Sequence, residues 1–203
     1  MSIFKIAVTG SAGSGKSTAC KYFEDLGLKI LDCDKIARDV VEPSMSAYKS
    51  IVDLFGKDIL LNDGSLNRLK LRKIISSDTS MRQGMEDIIH PAILDSLFLK
   101  IKTFEAEGEN AVVAEIPLLF ELNLSKKFDF VVTIAGEEKD LVDRIKKRDN
   151  VSKEDARAIL SIQFPQQEKV KRSDFVIWNT SGAESLKSSV AKLYQKIKKE
   201  YLT

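Results

Sequence analysis

The segment "GSAGSGKS", residues 10–17, most constrains the fold of this 203-residue chain. It follows the apolar run "FKIAVT" and precedes a helical pattern, and it matches the motif G-x-x-x-x-G-K-[ST]. Its glycines allow positive φ, so that phosphate oxygens can lie against successive backbone N–H groups at a helix N-terminus. A simple glycine turn would not explain the lysine. The segment therefore predicts a loop that binds a nucleoside triphosphate.

Individual residues of this loop suit separate parts of a bound triphosphate. Lys16 would neutralise charge between the β and γ phosphates, and the hydroxyl of Ser17 would be a ligand for Mg²⁺. A helix is predicted over residues 16–26, since Ala19 and Phe23 share an apolar stripe and Gly27 provides a stop. The residues predicted to bind the nucleotide are Gly13, Ser14, Gly15, Lys16, Ser17 and Thr18.

The charge of the chain is nearly balanced, with 32 Lys and Arg against 30 Asp and Glu, and gives no indication of a nucleic-acid partner. Cys20 and Cys33 lie among apolar neighbours, which favours buried free thiols over a disulfide framework or a zinc site. No apolar run approaches the roughly 18 residues of a membrane span, and the first residues lack a signal-peptide pattern. We therefore expect a cytoplasmic protein with no membrane or nucleic-acid partner.

Strand-like and helix-like segments alternate along the chain. This alternation is typical of an α/β fold in which helices flank a parallel sheet, here of five strands. The predicted strands are Phe4–Thr9, 29–34, 110–117, 129–135 and 174–179. Later helices are predicted at 137–149, 153–164 and 184–201, and "SKED" before the second of these resembles a capping box.

A helical insertion, residues 36–108, is predicted within a single domain that spans residues 1–203. It is too long for a plain crossover, and we expect it over the carboxyl ends of the strands, where α/β proteins bind ligands. Its pattern is broken by "NDGS" at 62–65 and by His90 and Pro91. His90 is predicted to end one helix and Pro91 to start the next, which favours a packing or capping role for the histidine.

Two aspartates lie at the carboxyl end of the second predicted strand. Asp32 and Asp34 are two residues apart, so strand alternation would point both the same way, beside the phosphate-binding loop. A carboxylate there can accept the proton of an attacking hydroxyl or hold Mg²⁺ through water. The alternative is that Asp34 caps the helix that follows. Capping explains one aspartate but not the pair, so we predict a catalytic role for Asp34.

Other charged residues allow two interpretations each. Glu115, at the end of the third predicted strand, suits an acid on the metal side or a glutamate of a surface loop. Arg144 and Arg148 share a helix face and could close over the transferring phosphates. They could equally form a solvated face paired with Asp140 or Asp143, and spacing alone does not decide.

Motifs of other nucleotide-binding classes are incomplete. A GTPase switch would carry N-K-x-D for guanine and D-x-x-G near the γ-phosphate. Here "DLFG" at 53–56 lies in the helical insertion without a preceding strand, and "KKFD" at 126–129 lacks the asparagine. A kinase acting on a nucleoside or nucleotide stays open as an alternative. So does a nucleotide-binding regulator without transfer chemistry.

Seven segments together resemble the dephospho-CoA kinase family over nearly the whole chain. They are "TGSAGSGKST", "LGLKILDCDKIARDVVEP", "FGKDILLNDGSLNRLKLRKII", "IIHPAI", "EIPLLFE", "RIKKRDNVSKEDARAILSIQ" and "SDFVIWN". Many families share the first segment. The combination of the aspartate segment with "HP" and "PLLFE" is far more specific.

The resemblance implies ATP-dependent transfer of the γ-phosphoryl group to the ribose 3′-hydroxyl of dephospho-CoA, giving CoA and ADP. It implies a P-loop kinase fold, a CoA-side region at 36–108 and a mobile lid at 140–172. Asp34 matches the family's base and Arg144 its lid arginine, which with Lys16 make the expected catalytic set; Asn179 lies near its adenine-side loop. The implied cofactors are ATP and Mg²⁺, the implied partner is dephospho-CoA, and we expect a monomer.

Overall fold

A five-stranded parallel sheet organises the computed structural model, which describes residues 2–202. Its strands are β1 (Phe4–Thr9), β2 (Lys29–Asp32), β3 (Ala111–Glu115), β4 (Phe130–Ala135) and β5 (Phe175–Trp178). They lie in the order β2-β3-β1-β4-β5, and every neighbouring pair is parallel. The predicted fold class is confirmed, and so are the five strands, with ends that shift by at most two residues.

Helices connect the strands and form most of the rest of the chain. They are α1 (Lys16–Asp25), α2 (Cys33–Asp39), α3 (Ser46–Phe55), α4 (Arg68–Ser77), α5 (Thr79–Ala106), α6 (Glu138–Asp149), α7 (Lys153–Ser161), α8 (Gln166–Lys171) and α9 (Ala183–Tyr201). The predicted cap of α7 is confirmed, because Oγ of Ser152 accepts a 3.0 Å hydrogen bond from the backbone N–H of Asp155. Within residues 2–202, no helix combines the length and the apolar character needed to cross a membrane.

The chain divides into two compact units. The first contains the sheet and comprises the chain up to Asp32 and from Phe104 onward, and the second is Cys33–Thr103. In the second unit the predicted break in the helical pattern at 62–65 is confirmed: the chain turns there, and Leu60 and Leu66 form an antiparallel bridge on either side.

The core of the first unit lies between the sheet and the pair α1 and α9. Phe23 of α1 is fully buried against strand residues such as Ile6 and Val132, and Val190 and Ile197 of α9 complete the cluster. β3 and β4 are buried along their whole length. Continuous apolar runs suit strands covered on both faces, which leaves the loops at the carboxyl ends of the strands to carry polar chemistry.

The predicted strand at 29–34 is too long, because β2 ends at Asp32. β2 is an edge strand paired only with β3, and the ladder ends where Asp32 lies opposite Glu115. The chain then leaves the sheet and α2 begins at Cys33. Asp34 therefore lies in the first turn of α2, and the expectation that strand alternation aligns it with Asp32 is wrong.

The predicted helix break at His90 and Pro91 is also wrong. α5 is 28 residues long and continues through Pro91. Proline removes one backbone donor and crowds the preceding turn, but the many other hydrogen bonds of so long a helix remain. His90 is thus an interior residue of a helix, and the capping role predicted for it does not apply.

The predicted helix at 153–164 is shorter than expected. α7 ends at Ser161, and the separate helix α8 begins at Gln166, after Pro165. The residue before a proline is disfavoured in the helical region, which interrupts the helix near Phe164. The break places a short non-helical joint, residues 162–165, between α7 and α8.

Candidate active site

The loop between β1 and α1 has the backbone of a phosphate-binding loop. Gly13 and Gly15 have φ values of 75° and 96°, in the left-handed region that favours glycine. A Cβ atom on Gly13 would lie 2.7 Å from the carbonyl oxygen of Leu141, and one on Gly15 would lie 2.5 Å from Nδ2 of Asn179. Both positions require glycine, because neighbouring elements press directly against the loop.

Lys16 is the first residue of α1 and lies back along the loop. Its side chain is buried with the residue at 8% exposure, and its Nζ donates a 3.0 Å hydrogen bond to the carbonyl oxygen of Ser11. The ammonium group and the N-terminal end of α1 thus bring positive potential to the same place. This arrangement suits the negative charge of bound phosphates.

Ser17 connects α1 to the end of β3. Its Oγ donates a 2.8 Å hydrogen bond to Oε1 of Glu115, which is only 8% exposed. The interpretation of Glu115 as a glutamate of a surface loop is therefore wrong. Asp32 is the register neighbour of Glu115 across β2 and β3, so two carboxylate residues end adjacent strands. A hydroxyl and carboxylates are the hard oxygen donors that Mg²⁺ prefers.

Cys20 lies one turn after Ser17 and is almost completely buried. Burial raises the pKa of its thiol well above the ordinary value, and the negative charge of Glu115 raises it further. The thiol is therefore protonated at neutral pH and acts as a small apolar group. This agrees with the buried free thiol predicted from the sequence.

Arg144 and Asn179 donate hydrogen bonds to backbone carbonyl groups of the loop. The guanidinium of Arg144 donates to the carbonyl oxygen of Gly13 at 3.3 Å and to that of Asn179 at 3.0 Å. Asn179 is 8% exposed, and its Nδ2 donates a 2.8 Å hydrogen bond to the carbonyl oxygen of Ser14. Two consecutive carbonyl groups of the loop are thus held by side chains that come from α6 and from the end of β5.

Arg148 has different surroundings from Arg144. Its Nε lies 2.7 Å from Oδ1 of Asp149, and its side chain is 60% exposed. The spacing of Arg144 and Arg148 in the sequence allowed two interpretations, a joint role over the phosphates or a solvated helix face. The structure separates the two arginines, since Arg144 contacts the loop and Arg148 makes an exposed ion pair with its chain neighbour.

Asp32 and Asp34 belong to different elements. Asp32 is the last residue of β2, and Asp34 lies in the first turn of α2, within the compact unit Cys33–Thr103. Both residues are exposed. An acidic residue in the first turn also stabilises a helix through its dipole. The catalytic role of Asp34 stays a prediction.

Several residues that hold the site lie outside the residues predicted from sequence. Oε1 of Gln163 accepts a 2.9 Å hydrogen bond from the backbone N–H of Ala12. The side chain of Gln166 bonds both backbone groups of Gly136, with its Oε1 accepting at 3.0 Å and its Nε2 donating at 2.9 Å. These glutamines carry no periodic signal, because Gln163 lies in the non-helical joint between α7 and α8 and Gln166 is the first residue of α8.

A cavity of about 630 Å³ lies beside the loop at Ser11. Its walls come from the start of α6 and from the joint between α7 and α8. Glu137 and Glu138 line it, and so does Arg157, so the cavity carries charged groups of both signs.

Comparison with known proteins agrees with this geometry. The sequence profile of the dephospho-CoA kinase family matches residues 4–185. A dephospho-CoA kinase of Carboxydothermus hydrogenoformans is 36% identical over 193 residues, which cover 95% of this chain and 94% of that protein. One of Listeria monocytogenes is 38% identical over 185 residues, or 91% and 92% of the two chains.

One solved structure also resembles this chain over nearly the whole length of both chains. The dephospho-CoA kinase of Campylobacter jejuni matches with a TM-score of 0.74 and 28% identity, over 96% of this chain and 97% of that one. These matches confirm the family identified from sequence motifs, and with it the prediction of a kinase whose acceptor is an alcohol group. With a phosphate-binding loop, its lysine and a buried acid in one site, and a family match over nearly its whole length, this chain belongs to the dephospho-CoA kinase family.

Proposed function

We propose that this protein transfers the γ-phosphoryl group of ATP to the ribose 3′-hydroxyl of dephospho-CoA, giving CoA and ADP. The observation that carries the proposal is the family match over residues 4–185, on a chain whose glycine loop has Lys16 folded against it. Phosphoryl transfer depends on positioning and on charge stabilisation more than on covalent chemistry. The residues around the loop are suited to both.

The triphosphate would lie along the loop between β1 and α1. Backbone N–H groups after Ala12 would bind the phosphate oxygens, and Lys16 would neutralise charge between the β and γ phosphates. Arg144 places a guanidinium beside the same loop, where it donates to the carbonyl oxygens of Gly13 and Asn179. Its positive charge would stabilise the charge that develops on the transferred group.

Mg²⁺ fits the oxygen donors at the end of β3. The hydroxyl of Ser17 and the carboxylate of Glu115 are 2.8 Å apart, and Asp32 ends the adjacent strand. We propose that Ser17 binds the ion directly and that Glu115 orients the Ser17 hydroxyl. Bound Mg²⁺ would neutralise charge on the β and γ phosphate oxygens.

Asp34 is our candidate for the general base. Its carboxylate would accept the proton of the 3′-hydroxyl as that oxygen forms its bond to the γ-phosphorus. The bond from this phosphorus to the β,γ-bridging oxygen breaks at the same time, and ADP leaves with that oxygen. The support is the place of Asp34 in the chain, two residues after the last residue of β2.

We also propose roles for the larger segments. The compact unit Cys33–Thr103, within which most of the predicted insertion at 36–108 falls, would receive the CoA end of the acceptor. Residues 140–172, which include most of α6 and all of α7 and α8, would act as the lid over the nucleotide. We expect the enzyme to work as a cytoplasmic monomer.

One assay tests the reaction. The protein is mixed with ATP, Mg²⁺ and dephospho-CoA, and CoA and ADP are measured together. Equal formation of both products is expected, and it should be lost in Lys16→Ala. Formation of no more CoA than in that variant would contradict the proposal. Adding nucleosides and nucleotides as competing acceptors distinguishes a nucleotide kinase, whereas ATP binding without transfer to any acceptor would favour a regulator.

A further inference from the structure

Both the side chain and the backbone N–H of Ala12 are held by contacts with residues outside the loop. Its side chain packs in a small apolar cluster with Val142 and Ile145 of α6 and Ala156 of α7. Its backbone N–H donates to Oε1 of Gln163 at 2.9 Å. Because this N–H already has a partner, it is not left for phosphate. Further along the loop the N–H of Ser14 also has a partner, the carbonyl oxygen of Ser11 at 3.2 Å.

Gln163 belongs to the joint between α7 and α8, and Glu121 fixes that joint. Oε1 of Glu121 accepts a 3.0 Å hydrogen bond from the backbone N–H of Phe164, the residue after Gln163. The same oxygen lies 2.8 Å from Nζ of Lys169 in α8. The joint is thus tied to the segment after β3 on one side and, through Gln163, to the phosphate-binding loop on the other.

Lys169 is an unusual residue for a surface helix, because its side chain is 0% exposed. Besides Glu121, its Nζ donates a 2.9 Å hydrogen bond to the carbonyl oxygen of Pro117. A charged group this deeply buried is stable only when paired and hydrogen-bonded. Burial by itself would raise the pKa of Glu121, but the hydrogen bonds from Lys169 and Phe164 outweigh it and lower the pKa. The carboxylate of Glu121 is therefore charged at neutral pH.

We propose that Gln163 is a positioning residue for the phosphate-binding loop, and that the buried pair of Glu121 and Lys169 holds Gln163 in place. The joint fixes the backbone at Ala12, so that the amides after it point into the loop before the nucleotide arrives. Loss of the Gln163 acceptor frees the Ala12 N–H and loosens this arrangement. The consequence is weaker nucleotide binding with little change in the chemical step. The inference can be tested kinetically, and that test rests on the proposed function because it measures turnover. It can also be tested by hydrogen exchange, which does not depend on the proposed function.

The structural test needs no nucleotide and no acceptor. Hydrogen exchange at the Ala12 amide is followed by NMR in the wild type, in Gln163→Met and in Gln167→Met. Methionine keeps the length of glutamine but cannot accept this hydrogen bond. Gln167 is the matched control, since it is exposed in the same segment. Exchange at Ala12 should accelerate about 3- to 10-fold in Gln163→Met, as for one lost hydrogen bond, and should not change in Gln167→Met.

The functional test separates binding from chemistry. In Gln163→Met the Kd for ATP by calorimetry and the KM for ATP should rise by about 3- to 10-fold, with kcat and the melting temperature nearly unchanged. Glu121→Gln, which keeps an oxygen for Phe164 but removes the charge, should also raise the KM for ATP. It should lower the melting temperature as well, because the buried Lys169 loses its charged partner. The double variant should be little worse than the more affected single variant, because both changes act through one connection.

Failure of this inference and failure of the proposed function would give different experimental results. Unchanged exchange at Ala12 in Gln163→Met would overturn the inference, and so would a loss of kcat at constant KM or strict additivity with Glu121→Gln. A wild-type protein that binds ATP but makes no CoA would contradict the proposed reaction only. In that case hydrogen exchange and calorimetry would still decide the role of Gln163.

Discussion

The hydroxyl of Ser17 donates a 2.8 Å hydrogen bond to the carboxylate of Glu115, and this contact joins the first turn of α1 to the end of β3. The two residues are 98 positions apart in the chain. Glu115 is nearly buried, so its carboxylate depends on such partners. The contact brings an acid to the residue that follows the loop lysine.

Replacing Glu115 with glutamine should reduce activity about 10- to 100-fold, as for other residues that orient a metal ligand. Glutamine keeps the size of the side chain but removes the charge that orients the Ser17 hydroxyl. The measurement is kcat over a range of Mg²⁺ concentrations, with a higher Mg²⁺ requirement expected in the variant. Glu109→Gln is the matched control, because Glu109 makes only a partly exposed pair with Lys29. An equal effect of the two substitutions would contradict the role given to Glu115.

Replacing Asp34 with asparagine should lower kcat by about 10²- to 10⁴-fold, the range typical of a lost general base. ATP affinity, measured by calorimetry, should stay unchanged. Asp39→Asn, at the other end of α2, is the control for effects on the helix. Full turnover in Asp34→Asn would reduce Asp34 to a residue that stabilises the start of α2.

Replacing Arg144 with lysine should reduce kcat/KM for ATP by about 10- to 100-fold, although the charge is kept. A lysine cannot present the planar fork that reaches the carbonyl oxygens of Gly13 and Asn179 together. Arg148→Lys changes an exposed residue that pairs with Asp149, and it should alter this value less than about 2-fold. Similar losses in both variants would instead support a joint role of the two arginines over the phosphates.

Raising the pH above 9 should destabilise the wild type more than Cys20→Ala. The ordinary thiol pKa of 9.0 applies to the unfolded chain, and burial first, then Glu115, raises the pKa of Cys20 in the folded state. Above pH 9 the unfolded chain loses a proton that the folded chain keeps. The free energy of unfolding should therefore fall by up to about 1.4 kcal/mol per pH unit from this group, whereas below pH 9 its contribution is fully present.

Urea unfolding of both proteins at about pH 8 and about pH 10 measures this effect. The alanine variant has its own packing loss, but that loss does not depend on pH, so the comparison across pH isolates the thiol. Parallel pH dependence of the two proteins would show that the folded and unfolded thiols titrate alike.

The sequence by itself determined the sheet and the phosphate-binding loop. Apolar runs ended by glycine or by polar residues predicted the strands, and the glycines with Lys16 predicted the loop, because each signal lies within a few neighbouring residues. The seven family motifs similarly identified the dephospho-CoA kinase family, which the comparisons confirm. The errors in the fold are also local, at Asp32, Pro91 and Phe164, where a strand end or a proline allows more than one continuation.

Tertiary structure alone decided which side chains meet at the loop. Glu115 contacts Ser17, Gln163 holds Ala12 across 151 positions, and Asn179 holds Ser14 across 165. The same is true of Lys169, whose sequence neighbours resemble those of an exposed helix and whose partner Glu121 makes its burial possible. Such contacts leave no periodic pattern, because a hydrogen bond between distant residues depends on where the sheet and helices bring them.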